Sequence, residues 1–213
     1  MTASQGAHPD DARFMARAID LALSRMGETW PNPAVGCVIV KDGVILSEAA
    51  TAPGGRPHAE EQAVPAAGAE VRGATAYVTL EPCGARSSGR QSCAHFLAEA
   101  GVVRVVVACL DPSPFASGRG TERLRQAGLA VETGLMGPEA KVLCEGFLHR
   151  VETGRPMVRV SEDGTGFDAR FAASPRADLM TELQRLGEAG YTRLWTGPGE
   201  LADALAAQGL LTA

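Results

Sequence analysis

The spacing of apolar residues changes period several times along the chain. The segment PDDARFMARAIDLALSRM has helical spacing and two acidic residues near its start, so it predicts a helix. The runs VGCVIV and VILSEA flank Lys41-Asp42-Gly43, and an Asp-Gly pair between two such runs predicts a β-hairpin. After the hairpin, predicted helices begin near His58 and Cys93 and cover TERLRQAG and PEAKVLCEGFLHRV, while TAYVTL, VRVVVACL and LAVETGL are predicted strands. This alternation predicts an α/β fold with a mixed or mostly parallel sheet that helices cover on both faces.

The pattern places a domain boundary at VETGRP, residues 151–156. Beyond it lie a strand-like MVRV, a loop SEDGTGFDARFAASPRAD, a helix LMTELQRLGEAG, a strand TRLW and a last helix GELADALAAQG. We therefore predict two domains, residues 1–153 and a small C-terminal α/β annex, residues 154–213. The annex has about 60 residues, which is marginal for a domain that must bury its own core.

Composition limits the classes of function. The chain has 213 residues, of which 45% are hydrophobic and 5% aromatic, and its net charge is −5. An acidic balance opposes a nucleic-acid partner, because phosphate contacts need a basic surface. No apolar run approaches the ~20 residues that span a bilayer, and MTASQGAHPDDARF lacks the basic-then-apolar order of a signal peptide, so no membrane partner is expected. Five cysteines in such a chain favour a reducing cytoplasm without disulfides.

Four residues in two short stretches predict a catalytic metal centre. PHAEEQAV places His58 two residues before Glu60, and EPCGARSSGRQSC places Cys83 and Cys93 on either side of a polar loop. Catalytic zinc usually takes three protein ligands and leaves one position for water, so His58, Cys83 and Cys93 are the predicted ligands. Zinc lowers the pKa of bound water toward ~7, which makes hydroxide available at neutral pH. Glu60, at the start of a helix, is the predicted general acid and base.

The order H-x-E followed by P-C-x-x-C is the signature of zinc nucleobase deaminases. This chain departs from the signature at one point, since nine residues rather than two separate Cys83 from Cys93. The alternative interpretation is a core histidine and two unrelated buried cysteines. The Glu-Pro pair before Cys83 and the helix and strand context favour the joint site.

Longer stretches resemble the pyrimidine deaminase of riboflavin biosynthesis. They are PNPAVGCVIV, PHAE, ATAYVTLEPC, DPSP, GRG and LRQAGLAVETGL, and the resemblance covers residues 10–160 almost without gaps. EGFLHRVETGRPMV is similar to that family's passage into a reductase domain. The resemblance implies a three-layer α/β/α cytidine-deaminase-like sandwich, a Zn²⁺ cofactor and deamination of a diaminopyrimidinone ribosyl phosphate. It also implies a homo-oligomer.

Two departures from the family pattern concern the substrate and the annex. The family reads G-x-G-x-H after the second strand, whereas this chain reads SEAAT, with Thr51 at the histidine position. Asn32 of PNP is retained, and Arg90 is the best match to the family's basic residue between the two cysteines. Arg86 in the same loop and Arg119 in SGRG are further candidates for phosphate contacts, to which Arg is well suited. The annex resembles only the two ends of the reductase domain, so we predict a truncated remnant without an NADPH site.

Three functions fit these residues. The leading hypothesis is an active zinc hydrolase that releases ammonia from an amino-pyrimidine nucleotide. A deaminase retuned to another nucleobase or nucleotide is the second, because of Thr51 and the altered cysteine loop. A non-catalytic zinc-binding scaffold is the third, although such a scaffold has no need for a carboxylate at Glu60. A tRNA-editing deaminase fits less well, because the chain is acidic.

Overall fold

A computed structural model of the chain describes residues 8–85, 91–113 and 118–212. Within these ranges the helices are α1 Asp11–Leu23, α2 Ala59–Ala67, α3 Cys93–Ala100, α4 Arg119–Gln126, α5 Gly137–Thr153, α6 Leu179–Glu188 and α7 Glu200–Ala207. The strands are β1 Gly36–Lys41, β2 Val44–Ala50, β3 Thr75–Leu80, β4 Arg104–Cys109, β5 Ala130–Thr133, β6 Met157–Val160, β7 Ala169–Arg170 and β8 Arg193–Thr196. This order agrees with the sequence prediction except for β7, which lies in a segment predicted to be a loop. No described helix has the length and apolar character needed to cross a membrane.

Five strands form one mixed sheet in the order β2-β1-β3-β4-β5. Strand β1 pairs antiparallel with β2 and β3, while β3, β4 and β5 run parallel. The predicted hairpin joins β1 and β2, and both turn residues have positive φ, 51° at Asp42 and 76° at Gly43. A two-residue turn with positive φ at both positions matches the twist of the strands it connects, which explains the Asp-Gly pair.

Alternate residues of the central strands face two separate cores. Cys37 and Ile39 of β1 pack in a core with α2, α3 and α4, whereas Val38 and Val40 pack in a core with α1 and α5. This period of two is what a sheet covered on both faces requires. The domain is therefore a three-layer α/β/α sandwich, as predicted.

The annex has its own sheet and its own core. Its three strands run parallel in the order β6-β8-β7, and α6 and α7 supply apolar residues such as Leu183 and Leu205. The two-residue strand β7 pairs with β8 and is too short to show a period-two pattern, which is why sequence alone missed it. The predicted small α/β annex is thus present, and the division into residues 1–153 and 154–213 stays a prediction.

A buried ionic network ties α1 to the amino-terminal ends of β3 and β4. Asp11 and Arg104 are 5% and 3% exposed, and Nη2 of Arg104 lies 2.6 Å from Oδ2 of Asp11. The Tyr77 hydroxyl donates to the other Asp11 oxygen, and Nε of Arg104 donates to Glu132 at 2.8 Å. Burial acts to raise the pKa of Asp11, but hydrogen bonds from Arg104 and Tyr77 outweigh it and lower the pKa from 3.8 to about 2.

Asp11→Asn should lower the free energy of unfolding at pH 7 by about 3 kcal/mol, because it leaves a buried guanidinium without its main partner. The pKa of Asp11 is depressed, so its contribution is complete above about pH 4 and is lost as the pH falls toward about 2. Urea denaturation of both proteins between pH 7 and pH 2.5 measures this. Glu48→Gln, which breaks the exposed pair with Arg17, is the control and should cost less than ~1 kcal/mol. A difference that persists unchanged at pH 2.5 would contradict the assignment.

Candidate metal centre and active-site cavity

The three predicted metal ligands come from three different parts of the chain, and they meet where the central strand β3 ends. His58 immediately precedes α2, and its backbone amide donates to the Glu61 carboxylate at 2.8 Å. Cys83 follows the end of β3, and Cys93 is the first residue of α3. Both helices therefore begin at the site, and the positive end of a helix dipole favours a thiolate.

The ligand atoms of His58, Cys83 and Cys93 all lie within 4.8 Å of one another. Nδ1 of His58 is 3.4 Å from Sγ of Cys93, and the Cys93 amide donates to Sγ of Cys83 at 3.3 Å. Nε2 of His58 is buried and has no hydrogen-bond partner among the described residues. One imidazole and two thiols lie close together, with Cys93 buried and the other two half-buried, and this set fits a three-ligand catalytic zinc site.

Glu60 lies beside this group on the first turn of α2. Its side chain is 3% exposed and faces the same cavity as His58 and Cys83. Burial raises the pKa of Glu60, and the neighbouring His58 side chain partly opposes that rise. A buried carboxyl that holds a proton more readily than usual is suited to exchange one with a bound substrate.

The cavity has a volume of about 260 Å³ and a mixed lining. Apolar side chains supply one part, and polar groups converge on the other, as in sites for small molecules. The apolar lining includes Pro31, Pro33, Val35, Leu80 and Phe147, and the polar lining includes Asn32, Thr51, Arg56, Glu81, Asp111, Ser113 and Arg150.

The predicted substrate residues fall into three groups. Asn32 and Thr51 line the cavity. Arg119 is exposed and is the first residue of α4 rather than part of a loop, and it is not among the described residues that line the cavity. Arg86 and Arg90 lie outside the described residues.

The Thr51 hydroxyl makes local hydrogen bonds where the family pattern has a histidine. Its Oγ1 accepts from the Val35 amide at 3.1 Å and donates to the Val35 carbonyl at 3.4 Å, and the side chain is 1% exposed. These bonds join the end of β2 to the segment before β1. Thr51 therefore supports the cavity wall through the backbone.

Glu81 was not predicted as a site residue, yet it organises the far side of the cavity. Its buried carboxylate accepts backbone amides of Asp111, Gly118 and Thr121 at 3.3, 3.1 and 3.0 Å. These bonds hold the segment after β4 against the end of β3, where Cys83 follows. The Glu-Pro pair before Cys83 was the only signal for it in the sequence.

Asp111 and Ser113 also went unpredicted, although DPSP was part of the resemblance. Asp111 accepts the Ser113 amide at 2.8 Å, and burial raises the pKa of its carboxyl. The Ser113 hydroxyl is fully buried and has no hydrogen-bond partner among the described residues. Both residues therefore place buried polar groups at the cavity.

Comparison with known proteins identifies the family. The family model for the cytidine and deoxycytidylate deaminase zinc-binding region matches residues 8–109. The diaminohydroxyphosphoribosylamino-pyrimidine deaminase of Buchnera aphidicola is 44% identical over 149 residues, and the match covers 99% of that protein and 69% of this chain. The chain belongs to the riboflavin-biosynthesis pyrimidine deaminases. The resemblance found in the sequence is therefore confirmed. The predicted zinc cofactor is confirmed as well, because His58, Cys83 and Cys93 cluster within the matched zinc-binding region.

Some relatives in this family are about twice as long as the segment that they share with this chain. The riboflavin biosynthesis protein RibD of Escherichia coli is 47% identical over 175 residues, which is 82% of this chain and 47% of that protein. The chain thus spans about half the length of such relatives. A structure of Acinetobacter baumannii RibD matches with a TM-score of 0.80 at 28% identity, over 95% of this chain and 84% of that one. The structural similarity therefore extends into the annex.

Purified protein should contain about one zinc per chain, and Cys93→Ser should lose most of it, because a hydroxyl is a poor replacement for a thiolate ligand. Metal analysis by mass spectrometry measures the content. Cys109→Ser is the matched control, since Cys109 is half-buried and donates to the Gly137 carbonyl away from the cluster, and it should keep its zinc. Folded wild-type protein without zinc would contradict the site.

Proposed function

We propose that this chain catalyses the zinc-dependent hydrolytic deamination of an amino-pyrimidine ribosyl phosphate, the activity for which its Buchnera relative is named. The observation that carries the proposal is the meeting of a zinc ligand set and a separate buried carboxylate in one cavity. A scaffold that only binds zinc has no use for that carboxylate. We assign the activity to residues 1–153, which is supported by the length of the Buchnera match.

His58, Cys83 and Cys93 would hold the zinc, and Glu60 would move the protons. When bound, zinc lowers the pKa of coordinated water and so supplies hydroxide near neutral pH. The Glu60 carboxylate would take one proton from the water and deliver it to a ring nitrogen, and it would then carry the second proton, from the added hydroxyl, to the departing amine. Water adds to the ring carbon, the carbon–nitrogen bond breaks and ammonia leaves, so the ring gains a carbonyl oxygen in place of the amine.

Glu60→Gln should retain zinc and fold but lose activity by about 10²–10⁴-fold, because the amide cannot carry the proton. The measurement is ammonia release from the diaminopyrimidine ribosyl phosphate, with zinc content determined on the same sample. Glu61→Gln is the neighbouring control, because Glu61 caps α2 through the His58 amide and carries no proton for the reaction. A Glu60→Gln protein with near wild-type rate would show that another group is the proton carrier.

A second candidate function is a deaminase retuned to another nucleobase or nucleotide. Thr51 favours it, because its hydroxyl is engaged with the Val35 backbone where the family carries a histidine. Ammonia release across a panel of pyrimidine and purine bases, nucleosides and nucleotides separates the two functions. We retain the phosphoribosyl substrate as the first choice, because the chain is 44% identical to the Buchnera deaminase over 99% of that protein's length.

For the substrate phosphate we propose Arg56 as a contact. Two arginines, Arg56 and Arg150, are among the described residues that line the cavity. Arg150 already donates to two backbone carbonyls, whereas the exposed Arg56 guanidinium makes no hydrogen bond or ion pair within the described parts of the chain. Arg56 also lies two residues before His58. The loop that carries it packs closely on Asn32, because a Cβ on Gly55 would come within 2.5 Å of the side-chain nitrogen of Asn32.

Arg56→Ala should raise KM for the phosphorylated substrate by about 10–100-fold, the range of one charge-assisted hydrogen bond, with a much smaller effect on the dephosphorylated compound. Steady-state kinetics on both compounds measure the difference, and Arg125→Ala on the exposed side of α4 is the control. Arg90→Ala, in the loop outside the described residues, is the competing assignment and is measured in parallel. Equal effects of Arg56→Ala on both compounds would remove Arg56 from the phosphate site.

Other sequence predictions extend this function. We propose the cytoplasm as the compartment of this chain, as the sequence analysis expected. A homo-oligomer, and the absence of nucleic-acid and membrane partners, stay predictions. Asn32, Arg86 and Arg119 also stay proposed substrate contacts. We expect no NADPH binding by the annex, which calorimetry tests.

A further inference from the structure

One wall of the cavity is an irregular segment between α1 and β1. Pro31, Asn32 and Pro33 line the cavity, but none of them belongs to a helix or a strand. In the middle of the segment, Thr29 and Asn32 exchange two hydrogen bonds of 3.1 Å, and the Asn32 side-chain amide donates to the Gly55 carbonyl at 2.9 Å. On either side, the Gly54 amide donates to the Glu28 carbonyl and Thr51 bonds the Val35 backbone. A wall without sheet or helix bonds needs support from outside to keep one conformation.

The annex packs on the outer side of this wall. The rings of Trp30 and Tyr191 stack with centroids 4.3 Å apart and planes 21° from parallel. Beside them, the backbone of Gly190 has φ of 101°, and a Cβ there would come within 3.0 Å of Pro31. A second close approach lies further along, where a Cβ on Gly27 would come within 2.5 Å of the Phe167 carbonyl oxygen. The annex backbone therefore lies directly against the segment in two places.

Arg150 joins the wall, the annex and the cavity. It lies near the end of α5, and its Nη2 donates to the Pro31 carbonyl at 3.3 Å while its Nη1 donates to the Gly187 carbonyl at 3.4 Å. Gly187 belongs to α6, which packs so tightly on the end of α5 that a Cβ there would come within 2.0 Å of the Gly154 carbonyl oxygen. The side chain of Arg150 also lines the cavity. The Arg150 guanidinium thus links α6 to the wall, beside the contacts of Gly190 and Tyr191.

We propose that the C-terminal annex positions this wall for substrate binding, with Tyr191 and Arg150 as positioning residues. This inference rests on the proposed function, since it gives the annex a role at the deaminase cavity. The zinc ligands belong to other parts of the chain, with His58 just before α2, Cys83 after β3 and Cys93 at the start of α3. Loss of the support should therefore weaken substrate binding while zinc and the proton carrier remain in place.

The test compares Tyr191→Ala with Tyr191→Phe in the full chain. The first removes the stacked ring, and the second keeps it and removes only the hydroxyl. Tyr191→Ala should raise KM by about 2–10-fold, which is the effect of losing one aromatic pair. Its kcat should change less than twofold, and its zinc content should stay the same. Tyr191→Phe should have the KM of the wild type. A KM equal to that of wild type in folded Tyr191→Ala protein would overturn the proposal.

Hydrogen–deuterium exchange provides a readout that does not depend on catalysis. Amides of residues 27–35 should exchange faster in Tyr191→Ala than in Tyr191→Phe, while the strands of the main sheet stay unchanged. Unchanged exchange in residues 27–35 would overturn the support itself. If the wild type released no ammonia from any substrate, the proposed function would fail and the exchange result would still decide whether the annex holds the wall. Tyr191→Leu replaces Tyr191→Ala if the latter does not fold.

Discussion

The site depends on one geometric constraint, which is that two helices begin where a central strand ends. Strand β3 lies in the middle of the sheet, Cys83 follows it, and the amino termini of α2 and α3 bring His58 and Cys93 to the same point. Ligands from positions 35 residues apart in the chain come within hydrogen-bond distance because both helices pack on the same face of that sheet. The helix dipoles and the Cys93 amide then stabilise thiolate at this point, before any metal is considered.

Glu60 and Glu81 both place a buried carboxylate at the cavity, and the difference between them indicates their roles. Glu81 accepts three backbone amides, so its hydrogen-bonding capacity is used to hold the segment after β4 in place. Glu60 is as deeply buried, and burial raises its pKa. A carboxylate whose oxygens are saturated by fixed amides is a structural anchor, whereas one that is buried beside a ligand set and holds a proton more readily is placed to transfer it.

The annex is small, yet it has its own sheet and its own core. Sixty residues retain a parallel three-stranded sheet with its own core, and that core is covered by α6 and α7. The turn that follows α6 then stacks Tyr191 on Trp30, and Arg150 links α6 to Pro31. The proposed positioning role requires a stable core and one contact surface, and the annex has both.

The sequence by itself determined the three-layer fold, the hairpin, the zinc ligands and the place of Glu60, because each of these has a local signal. Apolar periods of two and 3.6 residues mark the elements, Asp-Gly marks the turn, and H-x-E with Glu-Pro-Cys marks the chemistry. Only the tertiary structure decided that the Thr51 hydroxyl bonds the Val35 backbone, that Glu81 gathers amides from beyond β4, and that Arg56 lines the cavity. It also decided that Tyr191 meets Trp30. Such contacts join residues far apart in the chain, and they follow from how the layers pack, which no local spacing of residue types encodes.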